Sequence, residues 1–82
     1  MARSPDELQQ LLASVLAEVA GVAKADVQPD KSLVDDLDVD SLAMVEVMVE
    51  LEAQTGITVP DDEVKSLKTV QDVVNFLTKK GA

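Results

Sequence analysis

The segment from Asp40 to Leu51 reads DSLAMVEVMVEL, and it predicts a helix with two apolar faces rather than one. At about 100° per residue, the larger apolar side chains separate into two groups that lie roughly a third of a turn apart. The first group is Met44, Val47, Met48 and Leu51, and the second group is Leu42, Val45 and Val49. A helix packed on a core needs only one such face, of modest width. The second face therefore requires an explanation.

Two explanations are open for this second face. The helix could lie at the centre of a bundle and be buried nearly all round. Alternatively, the face could be a docking surface, since Glu46 and Glu50 flank one of its edges and Glu52 lies on the other. An apolar patch with a charged rim is typical of a protein interface. The two explanations can hold together in part, because Val45 could be half buried.

Composition limits the chemistry available to the chain. It has 82 residues, the size of one small domain, and we assign residues 1–82 to a single domain. It contains no histidine and no cysteine, which excludes a serine–histidine dyad, a thiolate nucleophile and the usual zinc sites. Phe76 is the only aromatic residue, so the core must be aliphatic. We expect no catalytic residue in this chain.

Charge limits the possible partners. The net charge is −9 at pH 7, from 16 acids against 7 bases, and no Lys or Arg occurs between Ser32 and Val64. This balance argues against binding to nucleic acid or anionic membranes and favours proteins with basic patches. No apolar run is long enough to span a bilayer, and the first ten residues, MARSPDELQQ, lack the apolar stretch of a signal peptide. We therefore expect a cytoplasmic monomer that does not insert into membranes.

Capping signals predict the first helix. Ser4, with Glu7 three residues later, forms a capping box, and Pro5 suits the first helical position. Gly21 is a typical stop signal. We place this helix at about Pro5 to Ala20.

A long connection leads from there to the second helix. Residues 22–39 have no clean period, and we interpret them as a loop that apolar side chains hold against the core, with a short turn around residues 23–27. Asp40 caps the second helix, which runs from Ser41 to about Gln54 and ends at Gly56.

Two further helices follow a short extended linker at residues 57–60. A helix of one to two turns begins at Asp61 or Asp62, and Thr69 caps the last helix. We expect residues 81–82 to fray. Three main helices and one short helix, joined by a long first loop, make an all-α fold, a small four-helix bundle.

Ser41 has a structural explanation and a chemical one. A serine at a helix start usually caps the helix, but Asp40 already supplies a cap, which leaves the Ser41 hydroxyl pointing outward from the first turn. The amides of a first turn favour an anion, so a phosphate ester on that oxygen would be tolerated. Nothing in the chain could deprotonate Ser41 for catalysis, because the surrounding carboxylates are poor bases and repel anionic substrates. If Ser41 reacts, another enzyme must drive the reaction.

The acids before this serine also resemble the start of a calcium-binding EF-hand loop. Asp36, Asp38 and Asp40 have the alternate spacing that such a loop requires. The loop needs glycine at its sixth position, where this chain has Ser41, and glutamate at its twelfth, where it has Val47. We therefore expect no specific metal site, only loose association of divalent cations with crowded carboxylates.

The run DLDVDSL from Asp36 to Leu42, followed by Met44-Val45-Glu46, resembles the attachment motif of acyl carrier proteins. The resemblance covers nearly the whole chain, because residues 30–33 (DKSL) and 57–62 (ITVPDD) also fit that family. It implies a four-helix bundle that carries 4′-phosphopantetheine through a phosphodiester on Ser41, installed from coenzyme A by a holo-carrier synthase with magnesium. Growing fatty acyl chains would ride on the thiol of this arm as thioesters, in the manner of a bacterial type II fatty acid synthase carrier.

The resemblance also implies partners and two groups of contact residues. The partners are the holo-carrier synthase, malonyl transferase, ketosynthases, reductases and dehydratase, which would meet the carrier through basic patches. The residues that would meet them are Asp36, Asp38, Asp40, Leu42, Val45, Glu46, Val49 and Glu52. The residues that would line a cavity for the acyl chain are Leu33, Val34, Met44, Met48, Leu51, Val64 and Leu67.

Asp38 departs from the pattern of the family, whose members often have glycine at this position. Aspartate tolerates unusual backbone angles better than most residues. We therefore expect the turn before Ser41 to survive, with one more carboxylate in it.

Two alternative functions stay open. The same motif serves carriers of polyketide and other specialised pathways. A protein of another class, an acidic helical interaction module or a divalent-ion sensor, would share the charge and the helices but would not acquire a thiol from coenzyme A.

Overall fold

The computed structural model describes residues 3–82. Met1 and Ala2 belong to the segment that is predicted not to be a signal peptide, and they lie outside the described range. The helices are α1 (Pro5–Ala20), α2 (Ser41–Thr55), α3 (Asp61–Val64) and α4 (Val70–Lys79), with one turn of 3-10 helix at Lys24–Asp26. The predicted small helical bundle is confirmed. Within the described range, none of these helices combines the length and the apolar character needed to cross a bilayer.

Helix α1 begins and ends where the capping signals predict. The Ser4 hydroxyl accepts a hydrogen bond from the Glu7 amide at 3.2 Å, and the Glu7 carboxylate accepts one from the Ser4 amide at 3.1 Å. The bond from the Ser4 amide to the carboxylate, with a smaller contribution from the Ser4 side chain, stabilises the charged form and lowers the pKa of Glu7. At the other end, Gly21 has a φ of 70°, the left-handed conformation in which helices commonly end. The helix is thereby fixed in length.

The core is aliphatic and is built around α1, which packs against both α2 and α4. Helix α2 buries Met44, Val47, Met48 and Leu51, the first of its two predicted faces. Helix α4 buries Val70, Val73, Val74, Phe76 and Leu77. The loops add Val27, Leu33, Leu37 and Val39. Of the four apolar residues predicted to hold the first loop against the core, Val27, Leu33 and Leu37 are buried, but the fourth, Val34, is 56% exposed.

Backbone hydrogen bonds tie the first loop to the start of α4. Ser32 and Thr69 form an isolated antiparallel bridge. Beside it, the Leu33 amide donates to the Lys68 carbonyl at 2.9 Å, and the Val70 amide donates to the carbonyl of residue 31 at 3.1 Å. Buried backbone groups need such partners, and a long loop has few of its own. The bridge therefore fixes the part of the loop that leads towards α2.

The end of the chain differs from the predicted fraying. The Gly81 amide donates to the Thr78 carbonyl at 3.1 Å, and the Ala82 amide donates to the Leu77 carbonyl at 3.0 Å. These are the two hydrogen bonds of a Schellman motif, which Gly81 permits because its φ is 87°. The motif turns Ala82 back into a buried position. The prediction of a frayed tail is wrong because it overlooked glycine as a helix-closing residue.

Asp38 adopts the unusual backbone conformation that its position suggested. Its φ is 56°, and it is the one non-glycine residue with a positive φ between residues 3 and 82. Such a conformation crowds the Cβ atom of most L-residues, and aspartate is among those that tolerate it best. The turn is thus retained without glycine.

Replacing Asp38 tests how far the turn depends on this angle. We expect Asp38→Val to lower the free energy of unfolding by about 1–2 kcal/mol, because a β-branched side chain fits the left-handed region poorly. Asp38→Gly should stay within about 1 kcal/mol of the parent, since relief of crowding is offset by the greater freedom of glycine in the unfolded chain. Urea denaturation measures both changes. Equal losses in the two variants would contradict the argument.

Candidate functional site

Ser41 is the first residue of α2, and its side chain is exposed. Asp40 caps the helix as predicted: its Oδ1 accepts a hydrogen bond from the Ala43 amide at 2.8 Å, and its carbonyl accepts one from the Met44 amide at 2.9 Å. Because Asp40 fills this role, the helix does not need the hydroxyl of Ser41. The hydroxyl stays available to an external reagent.

A compact turn fixes the backbone that leads to Ser41, and Ser32 is its centre. The Ser32 hydroxyl accepts a hydrogen bond from the Asp35 amide at 3.1 Å. The Ser32 amide donates to Oδ2 of Asp36 at 2.7 Å, and the Ser32 carbonyl accepts from the amides of Asp36 and Leu37 at 3.0 Å. The role of Ser32 was not predicted; the available signal is that serine and aspartate are favoured in turns, where their side chains accept nearby backbone amides. Asp36 thus holds the turn in addition to any role with partners.

An open groove of about 1060 Å³ has Ser41 in its lining. Of the residues predicted to form an acyl-chain cavity, the lining includes Val34, Met44, Met48, Val64 and Leu67. It does not include Leu33 or Leu51, which are fully buried in the core. The groove therefore brings most of the predicted cavity residues together beside the serine and leaves two of them within the protein interior.

The residues predicted to meet partners all lie on the surface. The second apolar face of α2 is open to solvent, with Leu42 70%, Val45 56% and Val49 63% exposed. Burial of this helix nearly all round is therefore excluded. The acids on its edges are exposed at Glu46 and Glu52, so the face has the apolar centre and charged rim that interfaces commonly show.

Carboxylates dominate the approach to Ser41. Asp36, Asp38 and Asp40 are exposed and follow one another along the chain. Across residues 3–82, no group of three or more acidic side chains is arranged to hold a metal ion. The structure shows one carboxylate oxygen of Asp36 and one of Asp40 accepting backbone amides.

Comparisons with known proteins define the class. Residues 10–77 match the family described as "Phosphopantetheine attachment site". The chain is 56% identical over 77 residues to an acyl carrier protein of Acidothermus cellulolyticus, covering 94% of this chain and 92% of that one. It is 52% identical over 79 residues to an acyl carrier protein of Thermobifida fusca, covering 96% and 100%. It is 46% identical over 79 residues to the meromycolate extension acyl carrier protein of Mycolicibacterium aurum, covering 96% and 81%.

These matches define a carrier that holds its cargo on a phosphopantetheine arm. The chain belongs to the acyl carrier protein family, and it is a carrier rather than an enzyme. Its cofactor is 4′-phosphopantetheine, joined covalently to the protein. The exposed hydroxyl of Ser41 fits this group, since it lies at a helix start that tolerates a phosphate and in the lining of an apolar groove.

Measurements of the free energy of unfolding can test whether Asp40, rather than Ser41, caps the helix. Asp40→Ala should lower the free energy of unfolding of the apo protein by about 0.5–2 kcal/mol, because the amide of Ala43 loses its acceptor. Asp40→Asn is the matched control: it removes the charge, keeps a capping oxygen and should change stability little. Thermal or urea unfolding gives both values. An asparagine variant as unstable as the alanine variant would mean that charge, and not capping, is the contribution of Asp40.

Proposed function

We propose that the protein carries growing fatty acyl chains as thioesters on a 4′-phosphopantetheine arm attached to Ser41, and delivers them to the enzymes of type II fatty acid synthesis. The observation that carries the proposal is that the exposed hydroxyl of Ser41 shares one groove with Met44 and Met48. A hydroxyl for attachment thus lies beside apolar surface that can shelter the attached chain. Methionine side chains repack easily, which suits a groove that must take chains of changing length.

In this proposal the chain holds Ser41 in position, and another enzyme carries out the covalent chemistry. A holo-carrier synthase must remove the proton of Ser41 as its oxygen forms the new bond to phosphorus and the nucleotide part of coenzyme A departs. Asp40 and the turn around Ser32 hold the serine in place during this step. Once bound, the arm supplies a thiol, which the protein lacks because it has no cysteine. We place these events in the cytoplasm, where the synthase would meet coenzyme A.

Attachment at Ser41 predicts a simple labelling result. Incubating the apo protein with coenzyme A and a phosphopantetheinyl transferase should create one reactive thiol per chain, and Ser41→Ala should abolish it while leaving the fold intact. Ser66→Ala is the matched control, because Ser66 is also exposed but belongs to a turn, and it should be labelled like the parent. Intact-mass spectrometry and a thiol reagent measure the outcome. A labelled alanine variant would place the arm elsewhere.

The exposed face of α2 is proposed as the surface that partner enzymes bind. Leu42, Val45 and Val49 supply apolar contact area, while the acids around them attract basic patches on the holo-carrier synthase, malonyl transferase, ketosynthases, reductases and dehydratase. Opposite charges speed the encounter, and apolar contacts then prolong it. This division allows one small surface to serve several enzymes in turn.

Reversing a charge on this face tests the surface. Glu46→Lys should slow loading or transfer by a partner enzyme and reduce the dependence of the rate on salt, because exposed charges act mainly through screened, long-range attraction. Glu18→Lys changes the net charge equally but lies on α1, and it should behave almost like the parent. Initial rates at low and moderate ionic strength separate the two. Identical rates for all three proteins at low salt would count against docking through Glu46.

One observation favours a second candidate pathway. Meromycolate extension carriers are among the relatives, one of them 46% identical over 79 residues. A role in the extension of longer acyl chains, or in another specialised pathway, is therefore the alternative to general fatty acid synthesis. Presenting the acylated protein to ketosynthases of the two systems distinguishes them: efficient elongation only by the specialised enzyme would overturn the proposed pathway while leaving the carrier role unchanged.

A further inference from the structure

Two lysines share the groove with Ser41. Lys65 follows α3 directly, and Lys68 lies in the segment that leads into α4; both contribute to the lining. They are the first bases after a stretch, residues 32–64, that contains none. The lining that holds the proposed attachment oxygen therefore also holds two cations.

The backbone of Lys68 is firmly fixed. Its carbonyl accepts a hydrogen bond from the Leu33 amide at 2.9 Å, and its amide donates to Oδ2 of Asp72 at 3.0 Å. The same carboxylate accepts the Thr69 amide at 3.1 Å, as part of the capping box of α4. The positive charge of Lys68 is thus carried by an anchored segment beside the groove rather than by a freely moving loop.

The two lysines lie among a larger number of acids in the groove. The lining also contains Asp35, Glu52 and Asp61, so carboxylates already outnumber ammonium groups there. In the part of the chain that the structure describes, neither ammonium group is among the side-chain hydrogen-bond donors, which are Arg3, Gln9, Gln28, Thr55, Ser66 and Gln71. An ester on Ser41 adds a further negative charge to this groove, and a cation is the group that would offset it.

We propose that Lys65 and Lys68 bind the phosphodiester of the phosphopantetheine arm when the arm lies over the groove, and that they thereby favour the state in which the carried chain is sheltered. The ligand is an anionic phosphodiester with an apolar chain beyond it, which matches a groove that is largely apolar and carries two ammonium groups. The inference rests on the proposed function at Ser41. It adds an ionic contact between the two lysines and the arm that would keep the carried chain in the groove.

The test uses the loaded protein and removes two charges at a time. The Lys65→Gln/Lys68→Gln variant is compared with the parent and with Lys24→Gln/Lys79→Gln, which changes the net charge equally at residues outside the groove lining. Each protein receives the arm and then an octanoyl group or, in a parallel series, a malonyl group, and intact mass confirms both steps. Two quantities are measured at low salt: the rate at which hydroxylamine cleaves the thioester, and the ³¹P resonance of the phosphodiester.

The proposal predicts that the groove variant is cleaved about twofold to fivefold faster than the parent, the effect expected of one or two exposed charge pairs. Its ³¹P resonance should shift, and added salt should move the parent's resonance in the same direction. The Lys24→Gln/Lys79→Gln protein should behave like the parent, and Lys65→Arg/Lys68→Arg should restore the parent's rate. If the double variant does not fold, Lys65→Gln and Lys68→Gln alone should each give an intermediate rate.

Three results would overturn the proposal. Equal cleavage rates and an unchanged ³¹P resonance would show that the lysines do not contact the arm. Equal effects in both double variants would show that net charge alone is responsible. An effect confined to protein loaded with malonyl in place of octanoyl would assign the lysines to a carboxylate on the cargo. Failure of the parent to accept the arm at all would instead contradict the proposed function, and mass spectrometry reports that before any rate is measured.

Discussion

The hydrogen bond from the Ala43 amide to the Asp40 carboxylate is the contact on which the site depends. A helix start has amide groups that require acceptors, and a serine there usually supplies one. Because Asp40 takes this role, the position of Ser41 is set by the helix while its hydroxyl has no structural task. A hydroxyl whose hydrogen bonds held the fold together could not be esterified without a loss of stability. The capping group and the exposed hydroxyl are thus supplied by neighbouring residues.

Helix α2 has one apolar face buried in the core and a second apolar face exposed to solvent. In a domain of this size, each main helix needs to bury only one face, and α1 packs against α2 to bury the face that carries Val47 and Leu51. No described element covers the second face, so Leu42 and Val49 remain exposed. The groove beside Ser41 begins where these two faces meet, since both Met44 of the first face and Val45 of the second contribute to its lining. The same helix therefore supports the fold, lines the groove and presents an exposed apolar face.

The sequence predicted the features that depend on neighbouring residues, and it missed those that depend on distant ones. Capping at Ser4 and Asp40 was predicted because each cap involves residues within one turn. The bridge between Ser32 and Thr69 was not, because it joins segments far apart in the chain and has no periodic pattern. For the same reason, the resemblance assigned both Leu33 and Val34 to the cavity, whereas Leu33 is fully buried and Val34 is 56% exposed. Side-chain direction in an irregular loop follows from such long-range hydrogen bonds and not from spacing.

An exposed apolar face is a liability for a small protein unless something prevents it from binding copies of itself. Here the charge provides that protection. The net charge is −9, and the carboxylates of Glu46 and Glu52 lie beside the exposed face, so two copies brought together through it would repel each other. A partner with a basic patch is attracted by the same charges, and it then gains the apolar contact that a second copy is denied. The acidic composition and the second face of α2 thus fit the proposed docking role together: the apolar residues would give the surface its affinity, and the carboxylates would decide which proteins can use it.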